Sequence, residues 1–241
     1  MDIIGHRGAR GEAPENTLSG FYYLRDLGIS RVEFDIQVAG DGQLIVIHDD
    51  ILERTTNHHG SIKDVDSDAL FNVDATRHLF PDWPIREGVP TLRQVLAVLA
   101  DFEHLQLEVK AKTLADCQAV VQQLPELWQP FGKRAVTTSF NVDYLRMMQA
   151  HHPHIPRGLL VERHFVGDMI GLAKQLECSL IAPHHSLLTN ILIDSAHQQG
   201  LVVSTWTVND TQRMQDLAAM GLDSLITDYP SMALKHLYPT P

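Results

Sequence analysis

The chain has 241 residues, of which 44% are apolar and 20% are charged, and its formal net charge is −11. So negative a balance argues against a nucleic-acid partner, because nucleic-acid binding needs basic surface that neutralises backbone phosphates. The sequence has no basic leader and no run of about 18 apolar residues, so we expect a soluble, cytoplasmic protein without stable membrane insertion.

Strand-like apolar runs recur along the chain with helical patterns between them, which is typical of βα units and a parallel sheet. Eight such runs are the number needed to close a (β/α)₈ TIM barrel, and such a barrel typically uses about 250 residues as one unit. The predicted strands are Asp2–Gly5, Arg31–Val38, Leu105–Lys110, Ala135–Phe140, Arg157–Val161, Ser179–Pro183, Leu201–Thr207 and Ser224–Asp228.

Helix boundaries are marked by capping residues in the gaps between these strands. Thr91 followed by Gln94 is a capping box. Short polar residues predict further helix starts, and glycines predict helix ends. The predicted N-caps are Asn16, Asn141 and Asp210, and the predicted ends are Gly28, Gly200 and Gly221.

The second strand is followed by a predicted hairpin, because Asp41-Gly42 is a tight-turn dipeptide and so short a loop joins only antiparallel strands. A two-residue turn there predicts that His48 pairs with Asp35, Asp50 with Glu33 and Ile47 with Ile36. One face of the hairpin would then be polar, with His48 beside Glu33 and Asp35, and the other apolar. A bulge at Ala39-Gly40 would slip the register by one and move His48 to the other face.

Residues 51–89 carry no strong hydrophobic period. A segment of this length beside a predicted site is usually a lid or a binding loop. We therefore predict a small insertion after the second strand, within a single domain that spans residues 1–241.

Three carboxylates are candidate metal ligands. Glu33 and Asp35 are two apart on a strand and share a face, where they repel unless they are protonated or bridged by a cation. Glu108 lies on the next barrel strand, whose polar row of Gln106, Glu108 and Lys110 must point into the barrel. Three such oxygens suit one Mg²⁺ or Ca²⁺ ion better than zinc. For the Glu-Phe-Asp pattern alone, a solvated face or an ion pair is the alternative.

Two histidines are candidate acid and base groups. His6 ends the first strand, and His48 follows the hairpin, so one imidazole could accept a proton while the other donates one. Arg7 and Lys110 stand at strand ends and suit a phosphate group. A structural histidine and ion pair are the alternative for His6 and Arg7. The pairs His58-His59, His151-His152 and His184-His185 have no carboxylates nearby in sequence, and we interpret them as surface or second-rank groups.

Trp206 lies in an apolar run that forms the seventh predicted barrel strand. A place in the barrel core and a role in stacking on a substrate are about equally supported by this position.

The ordered set of motifs resembles the glycerophosphodiester phosphodiesterase family, of the bacterial cytoplasmic type. The resemblance spans essentially the whole chain, and its strength lies in the order and spacing of the motifs. They are His6-Arg7-Gly8, Pro14-Glu15-Asn16-Thr17, Glu33-Phe34-Asp35, His48-Asp49, Glu108-Val109-Lys110, Trp206-Thr207-Val208-Asn209 and Thr227-Asp228-Tyr229-Pro230.

The resemblance implies a phosphodiesterase that releases sn-glycerol 3-phosphate and an alcohol from small diesters such as glycerophosphocholine. It implies His6 and His48 as the acid/base pair, Glu33, Asp35 and Glu108 as ligands of Mg²⁺ or Ca²⁺, and Arg7 and Lys110 as the groups that hold the phosphate. Residues 51–89 would roof the glycerol pocket. The substrate's neighbouring glycerol hydroxyl would attack phosphorus, which gives a cyclic phosphate that water then opens.

Two rival functions stay open. The first is a related barrel that cleaves lysophospholipid or sphingolipid head groups, which would favour an apolar or membrane-facing entrance. The second is a non-catalytic barrel that binds glycerophosphate compounds, although two titrating histidines argue against it. The preferred alcohol, the metal, release of the cyclic phosphate and self-association, for instance as a homodimer, are not fixed by the sequence.

Overall fold

The computed structural model describes residues 1–239 and contains a closed barrel of eight parallel strands. Going round the barrel, the strands follow the order β1, β2, β4, β5, β6, β7, β8 and β9, and β9 pairs with β1 again. The strands are β1 Asp2–His6, β2 Arg31–Val38, β3 Leu44–Val46, β4 His104–Val109, β5 Ala135–Ser139, β6 Arg157–Val161, β7 Leu180–Pro183, β8 Val202–Thr205 and β9 Ser224–Thr227. The predicted (β/α)₈ fold is confirmed.

Helices follow the barrel strands and cover the outside of the barrel. They are α1 Leu18–Asp26, α2 Ser67–Leu70, α3 Leu92–Val98, α4 Leu114–Trp128, α5 Val142–His151, α6 Met169–Gln175, α7 Asn190–Gln198, α8 Thr211–Ala219 and α9 Pro230–Leu237. Short 3₁₀ turns span Ile62–Asp64, Gln129–Arg134 and His185–Leu187. Within residues 1–239 no helix has the length and apolar character needed to cross a membrane.

Most of the predicted helix boundaries are confirmed, and one is wrong. Thr91 and Gln94 form the capping box of α3, and Asn141 and Asp210 cap α5 and α8. The residue that caps α1 is Thr17, whose side chain accepts from the Gly20 N–H, and not Asn16. Asn16 has a left-handed backbone, with φ 55°, and its side chain donates to Asp35 instead. The predicted glycine stops, Gly28, Gly200 and Gly221, all have positive φ just past helix ends.

Alternation along β2 separates the core from the site. Its apolar side chains, Val32, Phe34 and Ile36, are fully buried in the core between strands and helices. Burial of each such side chain stabilises the fold by about 1.5–3 kcal/mol. Glu33 and Asp35 alternate with them and therefore point into the barrel, at the carboxyl end of the strand. The same packing that fixes the core thus aims the two carboxylates.

The predicted hairpin exists, but its predicted register is wrong by one residue. Ile36 pairs with Val46, where Ile47 was predicted, and the ladder ends there, so His48 does not pair with Asp35 and Asp50 does not pair with Glu33. The loop is longer than a two-residue turn because Ala39 N–H donates to Gln43 O, which leaves three residues, numbers 40–42, between the paired positions. Gly42 takes φ 83° in this loop, the left-handed position that a three-residue hairpin loop needs.

The slip in register redistributes the hairpin's apolar side chains. Leu44 and Val46 join the main core, whereas Ile45 and Ile47 face a second cluster. Side chains from residues 51–89 complete that cluster, among them Leu52, Ile62, Leu70, Val73 and Val89. The segment therefore packs on the hairpin through an apolar core of its own.

Candidate active site

A cavity of about 430 Å³ opens at the carboxyl ends of the barrel strands. Catalytic groups of such barrels characteristically sit at this end, because the loops after the strands converge there. The cavity is lined by His6, Arg7, Arg10, Glu33, His48, Gln106, Glu108, Lys110, Phe140, Leu160, Glu162, Trp206, Thr207 and Ile226. All of the predicted site residues line it except Asp35, which lies directly behind.

Glu33, Asp35 and Glu108 converge, and one oxygen of each lies within 4.8 Å of the others. The register explains this, because β2 and β4 are neighbours and Asp35 pairs with Glu108. Burial, together with repulsion from Asp35 and Glu108, raises the pKa of Glu33 well above its usual value. Burial and the charge of Asp35 likewise raise the pKa of Glu108 to about 7. Full ionisation of the three carboxylates would therefore place more negative charge here than the surroundings neutralise.

Lys110 and Arg7 supply part of the compensating charge. Lys110 Nζ lies 2.6 Å from Glu108 Oε1 and 3.3 Å from Asp35 Oδ1, and Arg7 Nε lies 3.1 Å from Asp35 Oδ2. Burial would raise the pKa of Asp35, but these two cations lower it. Asp35 is thus ionised, whereas Glu33 and Glu108 resist ionisation beside it.

The donor set fits a hard divalent cation. Carboxylate oxygens are the ligands that Mg²⁺ and Ca²⁺ prefer, and three of them converge here. Asp35 Oδ1 is buried, and in the described chain it makes an ion-pair contact with Lys110 but no hydrogen bond, which leaves a lone pair open to a ligand. Glu33, Asp35 and Glu108 are accordingly the residues that could hold the ion.

His6 is fixed by a carboxylate from the other end of the chain. Its Nδ1 donates to Asp228 Oδ1 at 2.5 Å, and its Nε2 lies 3.8 Å from Glu33 Oε2. Asp228 is itself held by Asn209, whose Nδ2 donates to Asp228 Oδ2 at 2.8 Å. Burial lowers the pKa of His6, and the hydrogen bond to Asp228 works against that shift. The imidazole is therefore neutral near pH 7, with its tautomer set by Asp228.

His48 is fixed in the same way, but by its neighbour. Its Nδ1 lies 2.5 Å from Asp49 Oδ1, and its carbonyl accepts from Gln37 Nε2 at 2.7 Å. Burial lowers the pKa of His48, and the nearby charge of Asp35 opposes the shift. The hairpin ladder ends two residues earlier, so the turn after β3, and not strand alternation, brings this imidazole to the cavity.

Glu15 lies behind the site and connects Arg7, which follows β1, with Arg54 of the 51–89 segment. It accepts from Arg7 Nη1 at 2.8 Å and takes both terminal nitrogens of Arg54 at 2.8 Å each, while Arg54 also bonds Asp49. Burial would raise the pKa of Glu15, but hydrogen bonds and charge from Arg54 and Arg7 lower it to about 2. A continuous network therefore runs from His48 to Arg7.

The opposite wall of the cavity is built differently. Phe140, Leu160 and Trp206 stand there with one charged side chain, Glu162. The Phe140 and Trp206 rings meet edge to face, with centroids 5.4 Å apart, and Trp206 Nε1 donates to Ala182 O at 2.9 Å. Trp206 thus belongs to both of its predicted environments, since it packs on the barrel's inner cluster and also lines the cavity.

The structure contradicts the expected roof over the pocket. Within residues 1–239, no residue of the 51–89 segment lines the cavity. The segment packs on the hairpin instead, and its Arg54 bonds Glu15 and Asp49 behind the site. Thr55, Ala75 and Val89 line a small separate cavity beside Glu15 and His48. The segment's buried apolar residues pack in the second cluster, so it supports the site from outside.

The other histidine pairs lie away from the cavity lining. His58 and His59 are exposed, and His151 and His152 lie at the end of α5. His184 comes nearer, because its ring meets Trp206 edge to face at 5.3 Å.

Sequence reasoning missed several residues of the site. Glu15, Asp49 and Asp228 stood in recognised motifs, yet only the structure reveals their partners Arg7, His48 and His6. Gln106 was placed inside the barrel, but nothing indicated that it would line the cavity with neither amide atom hydrogen bonded in the described chain. Phe140 and Glu162 follow strands whose sequences contain no chemical signal.

A parallel barrel that carries acidic, basic and imidazole groups around one cavity at the carboxyl ends of its strands has the arrangement of an enzyme. Residues 6–232 match the model of the glycerophosphoryl diester phosphodiesterase family. The chain belongs to this family, which confirms the resemblance seen in its motifs.

Individual relatives agree with this membership over almost the full length of both chains. A glycerophosphodiester phosphodiesterase of Caldanaerobacter subterraneus subsp. tengcongensis is 30% identical, over 95% of this chain and 94% of that protein. One of Bacillus altitudinis is 27% identical, over 97% and 96%. The structure of an Oleispira antarctica phosphodiesterase in complex with the product sn-glycerol-3-phosphate has a TM-score of 0.89 and 27% identity, and covers 98% of this chain and 96% of that one.

Proposed function

We propose that this protein hydrolyses glycerophosphodiesters to sn-glycerol 3-phosphate and an alcohol, with His6 and His48 as the acid and base and a divalent cation on Glu33, Asp35 and Glu108. The observation that carries the proposal is the pair of imidazoles, each bonded through Nδ1 to a carboxylate, on one cavity with three converging carboxylates. A barrel that only bound its ligand would have no use for two such oriented bases.

The arrangement suits proton transfer in two directions. With Nδ1 committed to Asp228 or Asp49, each imidazole keeps Nε2 for the substrate. One Nε2 takes the proton of the attacking glycerol hydroxyl, and the protonated ring of the other gives a proton to the departing alcohol oxygen. The roles then reverse when water opens the cyclic phosphate.

The phosphate is bound by the two cations beside the carboxylate cluster. Arg7 and Lys110 line the cavity and can exchange part of their contact with the carboxylates for phosphoryl oxygens. A bound Mg²⁺ or Ca²⁺ ion would offset the charge that builds on those oxygens.

We further infer that residues 1–241 act as one catalytic domain with 51–89 as an insertion, which the unbroken barrel and the separate apolar cluster support. The cytoplasmic location stays a prediction of the sequence.

The proposal is tested by release of glycerol 3-phosphate from glycerophosphocholine with Mg²⁺ or Ca²⁺, with a chelator, and with the His48→Ala variant. We expect metal-dependent release that the chelator abolishes and that the variant lowers by about 10³-fold. A diester whose glycerol hydroxyl next to the phosphate is methylated should bind without turning over. No release from glycerophosphocholine or glycerophosphoethanolamine under either metal would refute the proposal.

A further inference from the structure

The cavity has two chemically distinct sectors. Its cationic side chains, Arg7, Arg10 and Lys110, follow β1 and β4, on the same side as the carboxylate cluster. The lining on the other side includes Phe140, Glu162 and Trp206, which follow β5, β6 and β8. His184, which follows β7, lies outside the lining and pairs with Trp206 as a parallel bridge.

Aromatic rings make up much of this second sector and are held firmly. Trp206 is fixed by its bond to Ala182 O and by edge-to-face contacts with Phe140 on one side and His184 on the other. Leu160, buried below them, packs in the same inner cluster. The wall is thus ordered before any ligand arrives, so a ligand that contacts it loses little free energy to rearrangement.

Glu162 provides the charge of this sector. It lines the cavity, whereas its neighbours Arg163 and His164 do not. In the described chain no ion pair or side-chain hydrogen bond holds its carboxylate; its backbone carbonyl accepts from Phe165 N–H. An exposed carboxylate beside aromatic rings attracts an ammonium group, through its own charge and through the ring faces.

We propose that Glu162, Trp206 and Phe140 form a subsite for the ester alcohol of the substrate and that this subsite selects alcohols carrying an ammonium group, quaternary or primary. The inference rests on the proposed function, because the phosphate held by Arg7 and Lys110 is what directs the ester across the cavity. A neutral alcohol gains nothing from the carboxylate at this wall, and an anionic one is repelled.

The test compares kcat/KM for glycerophosphocholine, which has a cationic alcohol, with kcat/KM for glycerophosphoglycerol, which has a neutral one. The unmodified protein should prefer the cationic diester. The Glu162→Gln variant should lower the ratio of the two values by about two- to fivefold, since it removes the charge but leaves the aromatic rings, and an ion pair at an exposed site has an effect of that size.

Glu126→Gln is the matched control, because Glu126 is an exposed glutamate on α4, far from the cavity lining. It changes the net charge equally and should leave the ratio unchanged. Equal kcat/KM values for the two diesters in the unmodified protein would overturn the inference. The inference would also be overturned if Glu162→Gln left the ratio of the two kcat/KM values unchanged, or if Glu126→Gln lowered that ratio as much as Glu162→Gln does.

Binding to the His48→Ala background separates this inference from the proposed function. Calorimetry with Mg²⁺ present should show tighter binding of glycerophosphocholine than of glycerophosphoglycerol, and adding Glu162→Gln should remove the difference. That result without turnover in the unmodified protein would support the subsite while refuting the proposed reaction. Turnover of both diesters with no difference in affinity would support the reaction and refute the subsite.

Discussion

The two imidazoles of the site have the same kind of partner but are anchored differently. His6 is bonded to Asp228, 222 residues away, and its side chain is only 11% exposed. His48 is bonded to the next residue, Asp49, and its side chain is 31% exposed. The first pair forms only when β1 and β9 close the barrel, whereas the second depends on a turn and on the Arg54–Glu15 network. One imidazole is positioned by the global fold and the other by a local network.

Removal of either imidazole should have the largest effect of the changes considered. We expect His6→Ala and His48→Ala each to lower kcat by about 10³-fold, since acid–base groups contribute 10²–10⁴-fold. The double variant should lose little more than either single one, because the two proton transfers belong to the same step and depend on each other. Thermal unfolding provides the contrast: His6→Ala should lower the melting temperature and His48→Ala should not. Similar losses of stability in both variants would contradict the difference in anchoring.

Substitution of the two carboxylates that bond the imidazoles, Asp228 and Asp49, tests the same difference in anchoring. Asp228→Asn should lower kcat by about 10²-fold, because an amide cannot supply the charge that fixes the tautomer of the buried His6 and stabilises its protonated ring. Asp49→Asn should cost roughly tenfold, since water can reach the more exposed His48 and the backbone still holds it. Steady-state kinetics at saturating Mg²⁺ measures both effects. Equal losses of kcat in the two variants would show that the exposure of the imidazole does not change the effect of its carboxylate.

The same contrast explains how much of this site could be predicted from the sequence. The fold and the strand-end residues were predictable because alternation in β2 and β4 fixes which side chains enter the barrel, and Glu33, Asp35 and Glu108 do converge. Their roles, like those of both histidines, stay predictions. Asp49 was visible beside His48, but Asp228 could be joined to His6 only by closing the ring of strands.

The errors arose where loops override local patterns. Asp41-Gly42 predicted a two-residue turn, but Gly40 N–H donates to Val65 O and the Asp41 carboxylate accepts from Ser67, so contacts with a later segment hold a longer loop. The sequence predicts Asn16 as a helix cap, yet its side-chain amide donates a hydrogen bond to Asp35 instead. In both cases a partner distant in sequence outcompetes the local preference.

Glu15 tests whether the local network matters to the fold as well as to His48. Glu15→Gln removes the charge that three arginines share, Arg7, Arg10 and Arg54, and should lower the free energy of unfolding by about 2 kcal/mol. Denaturant titration at pH 7 measures this loss. Glu12→Gln, which affects a more exposed acidic residue bonded to Ser231, is the control and should change stability by less. No difference between the two variants would mean that water replaces Glu15 in the network.

A third imidazole, His104, shows how burial changes the pKa of a histidine that has no bonded carboxylate in the described chain. His104 begins β4 at the opposite end of the barrel and, in the described chain, no carboxylate is bonded to its ring. Burial, and then the charge of Arg31, lowers its pKa to about 4, below the 6.5 of an ordinary imidazole. Between those values the unfolded chain binds a proton that the folded chain does not. Stability contributed by the neutral ring is therefore complete above pH 6.5 and is lost as the pH falls towards 4.

Because His104 is partly exposed, we expect this loss to be only about 1 kcal/mol, less than a full shift of that size would give. His104→Gln cannot titrate, so its stability should fall less than that of the unmodified protein between pH 6.5 and 4.5, as measured by urea unfolding. An unchanged pH dependence would mean that solvent reaches His104 and that burial alone does not suppress its protonation.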